Sequence, residues 1–233
     1  MRYALSLCAV LMAGPVAAQD PTLFYPPDGC TAELTVQSRS CSLSNIYTCE
    51  ADQPGENWRV EFDVDGPFFI SKIDYETQWL ESYDLFPTSR EVLVQPADDP
   101  ASLTELLETG TDAYDFVQRG ESGPVRVVGY DRLTGEEVVI DGEPLLVTEF
   151  TARHETTDGV MLEVTGSEYV SVRHRRFIAG TYKGQGANGA YEIDKTPVDF
   201  IYPGEPGFFS KTPLYDCEAS LARYVPTAKG YDQ

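Results

Sequence analysis

Four consecutive residues, Arg173-His174-Arg175-Arg176, carry the most concentrated chemistry in this chain. Three of its twelve arginines fall there, in a protein with a formal net charge of −21. On a solvated strand such a run pairs with surrounding carboxylates, which is the ordinary account. Strand alternation offers a sharper one. If Val170 and Val172 point inward, so do His174 and Arg176, followed by Ile178 and Tyr182. An inward arginine is costly unless a carboxylate or a bound anion meets it. His154 is the other histidine, and it shares parity with Leu146 and Phe150. A three-residue hairpin at Thr157-Asp158-Gly159 would set His154 opposite Leu162. A second, Gly166 to Glu168, would set His174 opposite Val160. The expectation is one ligand pocket lined by His154, His174 and Arg176, with the histidines roughly 12 Å apart from strand spacings.

Other patterns are weaker. Glu61-Phe-Asp63-Val-Asp65-Gly66 opens like a calcium loop, but its twelfth position is Lys72 rather than glutamate. The same acids also read as the outward face of a strand. Gly184-Gln-Gly186-Ala-Asn-Gly189 matches G-x-G-x-x-G. No helix follows to present its N-terminus to a phosphate, so a hairpin loop is expected. There is no G-x-S-x-G, and Ser122 and Ser167 beside glycines read as turn residues. No metal or cofactor is expected.

Five cysteines are present. Cys8 lies in residues 1–18, which have Arg2, an apolar run from Ala4 to Met12, and small residues ending at Ala18, the pattern of a secretory signal peptide. The mature chain then runs from 19 to 233 with Cys30, Cys41, Cys49 and Cys217, an even number suited to disulfides. No C-x-x-C pair supports zinc. Cys41–Cys49 closes a short loop and is the favoured pair, leaving Cys30–Cys217. Removing Arg2 makes the charge −22, which disfavours nucleic acid and anionic membrane as partners. No segment is apolar over the ~20 residues a membrane span needs.

The elements that must hold the candidate site are strands. Short β-branched and aromatic runs are cut by Thr134-Gly135, Asp141-Gly142, Asp158-Gly159 and Gly166-Ser167, the punctuation of hairpins. Asn57 to Asp65 alternates, with Trp58, Val60, Phe62 and Val64 on one face. One helix is expected over about 100–109, capped by Asp99, started at Pro100, striped by Leu103, Leu106 and Leu107, and stopped by Gly110. Thr111 to Arg119 reads as a strand. Residues 19–56 read as an irregular lead-in held by disulfides, and Tyr215 to Tyr224 as a closing strand or short helix. The fold expected is a mainly β antiparallel meander, a curved sheet or partly closed barrel with one short helix, forming one domain over 19–233.

These readings point to an exported protein, periplasmic or secreted, that binds a small molecule or another exported protein. A hydrolase using His174 with a carboxylate is the second class. An envelope-assembly role through the aromatic Phe208-Phe209 loop is the third.

Overall fold

The computed structural model describes residues 19–186 and 189–218. Residues 1–18, read above as a signal peptide, residues 187–188, and residues 219–224 of the expected closing element lie outside the described residues. The chain runs through β1 (Cys30–Ser38), β2 (Ser42–Cys49), β3 (Asn57–Asp63), β4 (Gly66–Ile73), β5 (Trp79–Leu85) and β6 (Thr88–Leu93). It then makes α1 (Leu103–Thr109), β7 (Thr111–Gly120), β8 (Gly123–Ile140), β9 (Glu143–Thr156) and β10 (Gly159–Ser171). β11 (Arg176–Gly186), β12 (Gly189–Asp194) and β13 (Pro197–Ile201) complete it.

All thirteen strands join one antiparallel sheet in which β1 to β12 pair in chain order and β13 adds beyond β1. Twisted open sheets of more than about ten strands curl, and this one rolls until its edges meet at one end. Only Lys195 and Thr196 separate β12, at one edge, from β13, at the other. There the Lys195 N–H donates to the Gly180 carbonyl of β11 (2.8 Å), and the Arg39 N–H just past β1 donates to the Thr196 carbonyl (3.0 Å). Among the described residues no ladder closes the sheet.

Several expectations change. Residues from Cys30 onward are not an irregular lead-in but the hairpin β1–β2, with Cys30 opposite Cys49. The disulfides are Cys30–Cys49 and Cys41–Cys217, not Cys41–Cys49 and Cys30–Cys217. The reason is geometric: Cys41 sits at the hairpin turn, and β2 carries Cys49 roughly 25 Å away at about 3.3 Å per residue. Such bonds suit an oxidising, non-cytoplasmic compartment. No described helix is long and apolar enough to cross a membrane.

The Asp141-Gly142 turn has both residues left-handed (φ 49° and 79°), as a two-residue hairpin of this kind requires. Thr134-Gly135 and Gly166-Ser167 are instead irregularities within β8 and β10. Gly184 and Gly186 lie in β11 and Gly189 in β12, and these strands pair up to Gly186 opposite Gly189.

The helix starts three residues later than expected. Ser102 caps it, accepting from the Glu105 N–H, while Asp99 is bridged through its backbone to Asp115. Gly110 ends it at φ 87°. Leu103 and Leu106 are fully buried against Val170, with Leu107, Leu133 and Phe177 around them. Truncating Leu106 (0% exposed) to alanine is expected to cost about 3 kcal/mol, measurable as a lowered urea midpoint with unchanged slope.

β3 is covered on both faces. Val60 and Phe62 join Leu43, Tyr47 and Phe209 in a core that Phe24 of the lead-in also covers. Phe209 is 3% exposed, so this ring of the aromatic loop is spent inside the molecule rather than offered to a partner. The other face of β3 looks into the roll.

Candidate functional site

The roll encloses a cavity of about 420 Å³, within the range of small-ligand sites. Phe68, Phe69, Trp79, Phe116, Phe150 and Phe177 supply much of its apolar wall. Thr77, Gln78 and Ala101 line it from the β4–β5 loop and the approach to α1. The Gln78 carboxamide oxygen accepts from the Ala101 N–H (2.9 Å), and the Glu76 carboxylate accepts from the Thr104 N–H (2.8 Å). The helix thereby fixes the loop at that end of the roll.

One wall is cationic. Arg59 and Glu61 point inward from β3, Arg176 from the start of β11, and Lys195 from the two-residue crossing between sheet edges. Glu61 bridges Arg59 (3.1 Å) and Lys195 (2.9 Å). It was expected on the outward, calcium-loop face; β3 buried on both sides reverses that. Burial opposes its ionisation, but the Arg59 and Lys195 charges outweigh the penalty and hold it down at about 2. Arg176 is 3% exposed and donates one Nη1 hydrogen bond to Asn57 Oδ1 (3.1 Å). Burial, with Arg59 beside it, pulls Arg176 down to about 9, which leaves it charged at neutral pH. Three positive side chains therefore share the carboxylate of Glu61 in this wall, while Glu33, on the side of a second cavity, also acts on Arg176.

Three buried donors make no hydrogen bond among the described residues: Arg59 Nε, Arg176 Nε and Gln118 Nε2. All three residues line this cavity. A buried polar group without a partner costs about 1–3 kcal/mol, more when charged. Unpaired donors in the walls of a cavity are groups that an acceptor-rich or anionic guest would suit.

The wall formed by β7, β8 and β10 is acidic. Burial, with Glu168 and Asp112 nearby, pushes the Asp131 carboxyl up to about 8. Burial pushes Glu168 up to about 7, with Arg59 partly countering. Asp112, opposite Asp131 in the β7–β8 pair, is raised by burial to about 6. Tyr114 lies against the sheet because Gly129 has no side chain; a Cβ there would meet the ring at 2.7 Å.

His154 and Arg176 line this cavity, and His174 does not. The register sets His154 opposite Leu162, as expected, but through a two-residue turn and an irregularity between Val160 and Leu162. Burial lowers the His154 pKa, so the ring is neutral at pH 7. The placement of His174 is corrected. β10 continues past its irregularity to Ser171, Ser171 pairs with Arg176, and His174 sits in the turn between them. Strand parity ends at that turn. Val160 faces Glu155 instead.

The side chains of the turn reach distant elements. Arg175 takes φ 42°. Its guanidinium stacks on Tyr75 (3.7 Å) and donates to Thr104 Oγ1 (3.0 Å). His174 Nε2 lies 3.2 Å from the Tyr202 hydroxyl, which donates to Glu143 Oε2 (2.9 Å). Ser171 Oγ donates to Glu143 Oε1 (2.8 Å). His174 borders a second cavity of about 260 Å³, shared with Arg173, Arg175, Arg176 and Glu33. Burial lowers the His174 pKa although Glu143 opposes it.

Sequence reading found Arg176 and His154 and missed Arg59, Glu61, Gln118, Asp131, Glu168 and Lys195. Alternation did mark Arg59 and Glu61 as one face of β3. What it lacked was the long-range roll that turns this polar face inward. Comparison with protein-family models, curated proteins and solved structures finds no match to this chain.

Proposed function

We propose that residues 19–233 form one exported domain that binds a small amphiphilic anion inside the rolled sheet, with residues 1–18 removed on export. The observation that carries this reading is the set of three buried donors, Arg59 Nε, Arg176 Nε and Gln118 Nε2, lacking acceptors around one apolar cavity. Arg59, Arg176 and Lys195 bind the anionic head, and the aromatic wall takes the apolar body. Glu61 holds Arg59 and Lys195 in place without cancelling the positive field.

Anilinonaphthalene sulfonate and neutral phenylnaphthylamine, compared by fluorescence titration, test the reading. The sulfonate should bind more tightly. Arg176→Gln and Arg59→Gln should each weaken it by about tenfold or more, from lost charged hydrogen bonds of about 1.5–3 kcal/mol. Phenylnaphthylamine should be little affected. Equal loss of both probes would refute an anion site. Native mass spectrometry of the purified protein would identify a retained ligand directly.

A hydrolase reading has one supporting contact, His174 Nε2 to Glu143 Oε1 at 3.8 Å. Ser171, the adjacent hydroxyl, is fully buried and already donates to Glu143, so it is no free nucleophile. Ester turnover abolished by His174→Ala would revive that reading.

A further inference from the structure

We infer that the ligand is bipolar, carrying a basic nitrogen as well as its anionic group, because the carboxyls of Asp131 and Glu168 line the same cavity and neither has a hydrogen-bond partner among the described residues. This rests on the reading of the cavity as an anion site. Asp131 is 7% exposed and lines the cavity. Neither its carboxyl nor that of Glu168 makes a hydrogen bond or ion pair among the described residues. Asp112, its cross-strand partner in β7, has a buried Oδ1 with no partner. The groups facing these acids are Asp112 and Tyr114 of β7, Arg59 of β3 and Tyr182 of β11.

The Ser102 N–H satisfies only the other oxygen of Asp112 (2.9 Å). Acceptors therefore outnumber donors on this wall, the reverse of the Arg59–Arg176 wall. A guest with an acceptor at one end and a donor at the other complements both. The surrounding rings choose the donor. Tyr114 and Phe116 lie 5.8 Å apart on β7, and Phe150 is paired with Asp131 across β8 and β9. A carboxylate among aromatic faces is the setting in which an ammonium is held by charge and by the ring quadrupoles. Its arrival allows the carboxyls to ionise, so a proton leaves as the ligand enters.

Calorimetric titration with ω-aminooctanoate, octanoate and octylamine at pH 7 tests this. ω-Aminooctanoate should bind about tenfold more tightly than octanoate. Its enthalpy should vary with buffer ionisation enthalpy, the mark of proton release. In an Asp131→Asn/Glu168→Gln variant the advantage and the proton release should both vanish, while octanoate affinity stays within about twofold. Both amides are close in size to the protonated carboxyls they replace, and circular dichroism checks that the fold is retained. If octanoate binds as well as ω-aminooctanoate, or if the variant keeps the advantage, the bipolar inference falls and the anion site stands. If neither carboxylate binds, both fall.

Discussion

Unliganded protein loses stability as the pH rises from about 6.5 to 8, and Asp131→Asn removes most of that loss. Asp131 and Glu168 hold protons in the folded state up to about 8 and about 7, whereas the unfolded chain releases them near pH 4. Between those limits the native state binds more protons than the unfolded one, so unfolding free energy falls with rising pH. The histidines act in the opposite sense. Burial lowers both His154 and His174 below 6.5, which adds stability as pH rises toward that value and nothing beyond it. Glu61, held at about 2, contributes stability that is lost only as the medium is acidified below about 4.5. Asp112, raised to about 6, has given up most of its proton by pH 6.5, so the window above that value isolates Asp131 and Glu168. At 1.36 kcal/mol per pKa unit, the wild type should lose about 2 kcal/mol across it. Asp131→Asn should be more stable than wild type at pH 8 by on the order of 4 kcal/mol, discounted because a carboxyl lining a cavity keeps some solvent. Urea unfolding at pH 6.5 and pH 8 reads both quantities. A wild type whose stability is flat across this window would mean that Asp131 ionises freely.

That expense explains where the sequence was legible. Hairpin punctuation located the strands of the meander because Asp141-Gly142 and Asp158-Gly159 are local devices whose backbone demands are met within a few residues. The leucine stripe of α1 was legible for the same reason. The Ser171–Arg176 turn contains no glycine, proline, asparagine or aspartate. It is held by Arg175 reaching Tyr75 and Thr104, contacts about a hundred and about seventy residues distant in the chain, and nothing local announces it. The cavity was illegible on the same grounds. Arg59 and Lys195 meet at Glu61 only because the sheet rolls its two edges together, and that closure is a property of thirteen strands rather than of any one. A polar face on an alternating strand reads as solvated, and in a roll with a charged interior the sense is inverted.

The Cys41–Cys217 disulfide is the covalent form of that long-range closure, and its loss should be the costlier of the two. It spans 176 residues, against 19 for Cys30–Cys49. In the loop-entropy model these closures contribute about 5 and about 3 kcal/mol. The native contacts point the same way. The chain before Cys217 lies along the β1–β2 turn, where Gln37 Nε2 donates to the Thr212 carbonyl (3.1 Å), its Oε1 accepts from the Leu214 N–H (3.1 Å), and the Cys41 N–H donates to the Tyr215 carbonyl (2.8 Å). The Cys30–Cys49 pair merely staples a hairpin already laddered along its length. Paired serine substitutions should therefore lower the unfolding free energy by about 5 kcal/mol for Cys41/Cys217 and about 3 for Cys30/Cys49, read from urea titrations after non-reducing peptide mapping has verified the connectivity. Should the short staple prove the more costly to remove, the β1–β2 hairpin must be unstable without it, and the roll would depend on its first turn rather than on the tie between its ends.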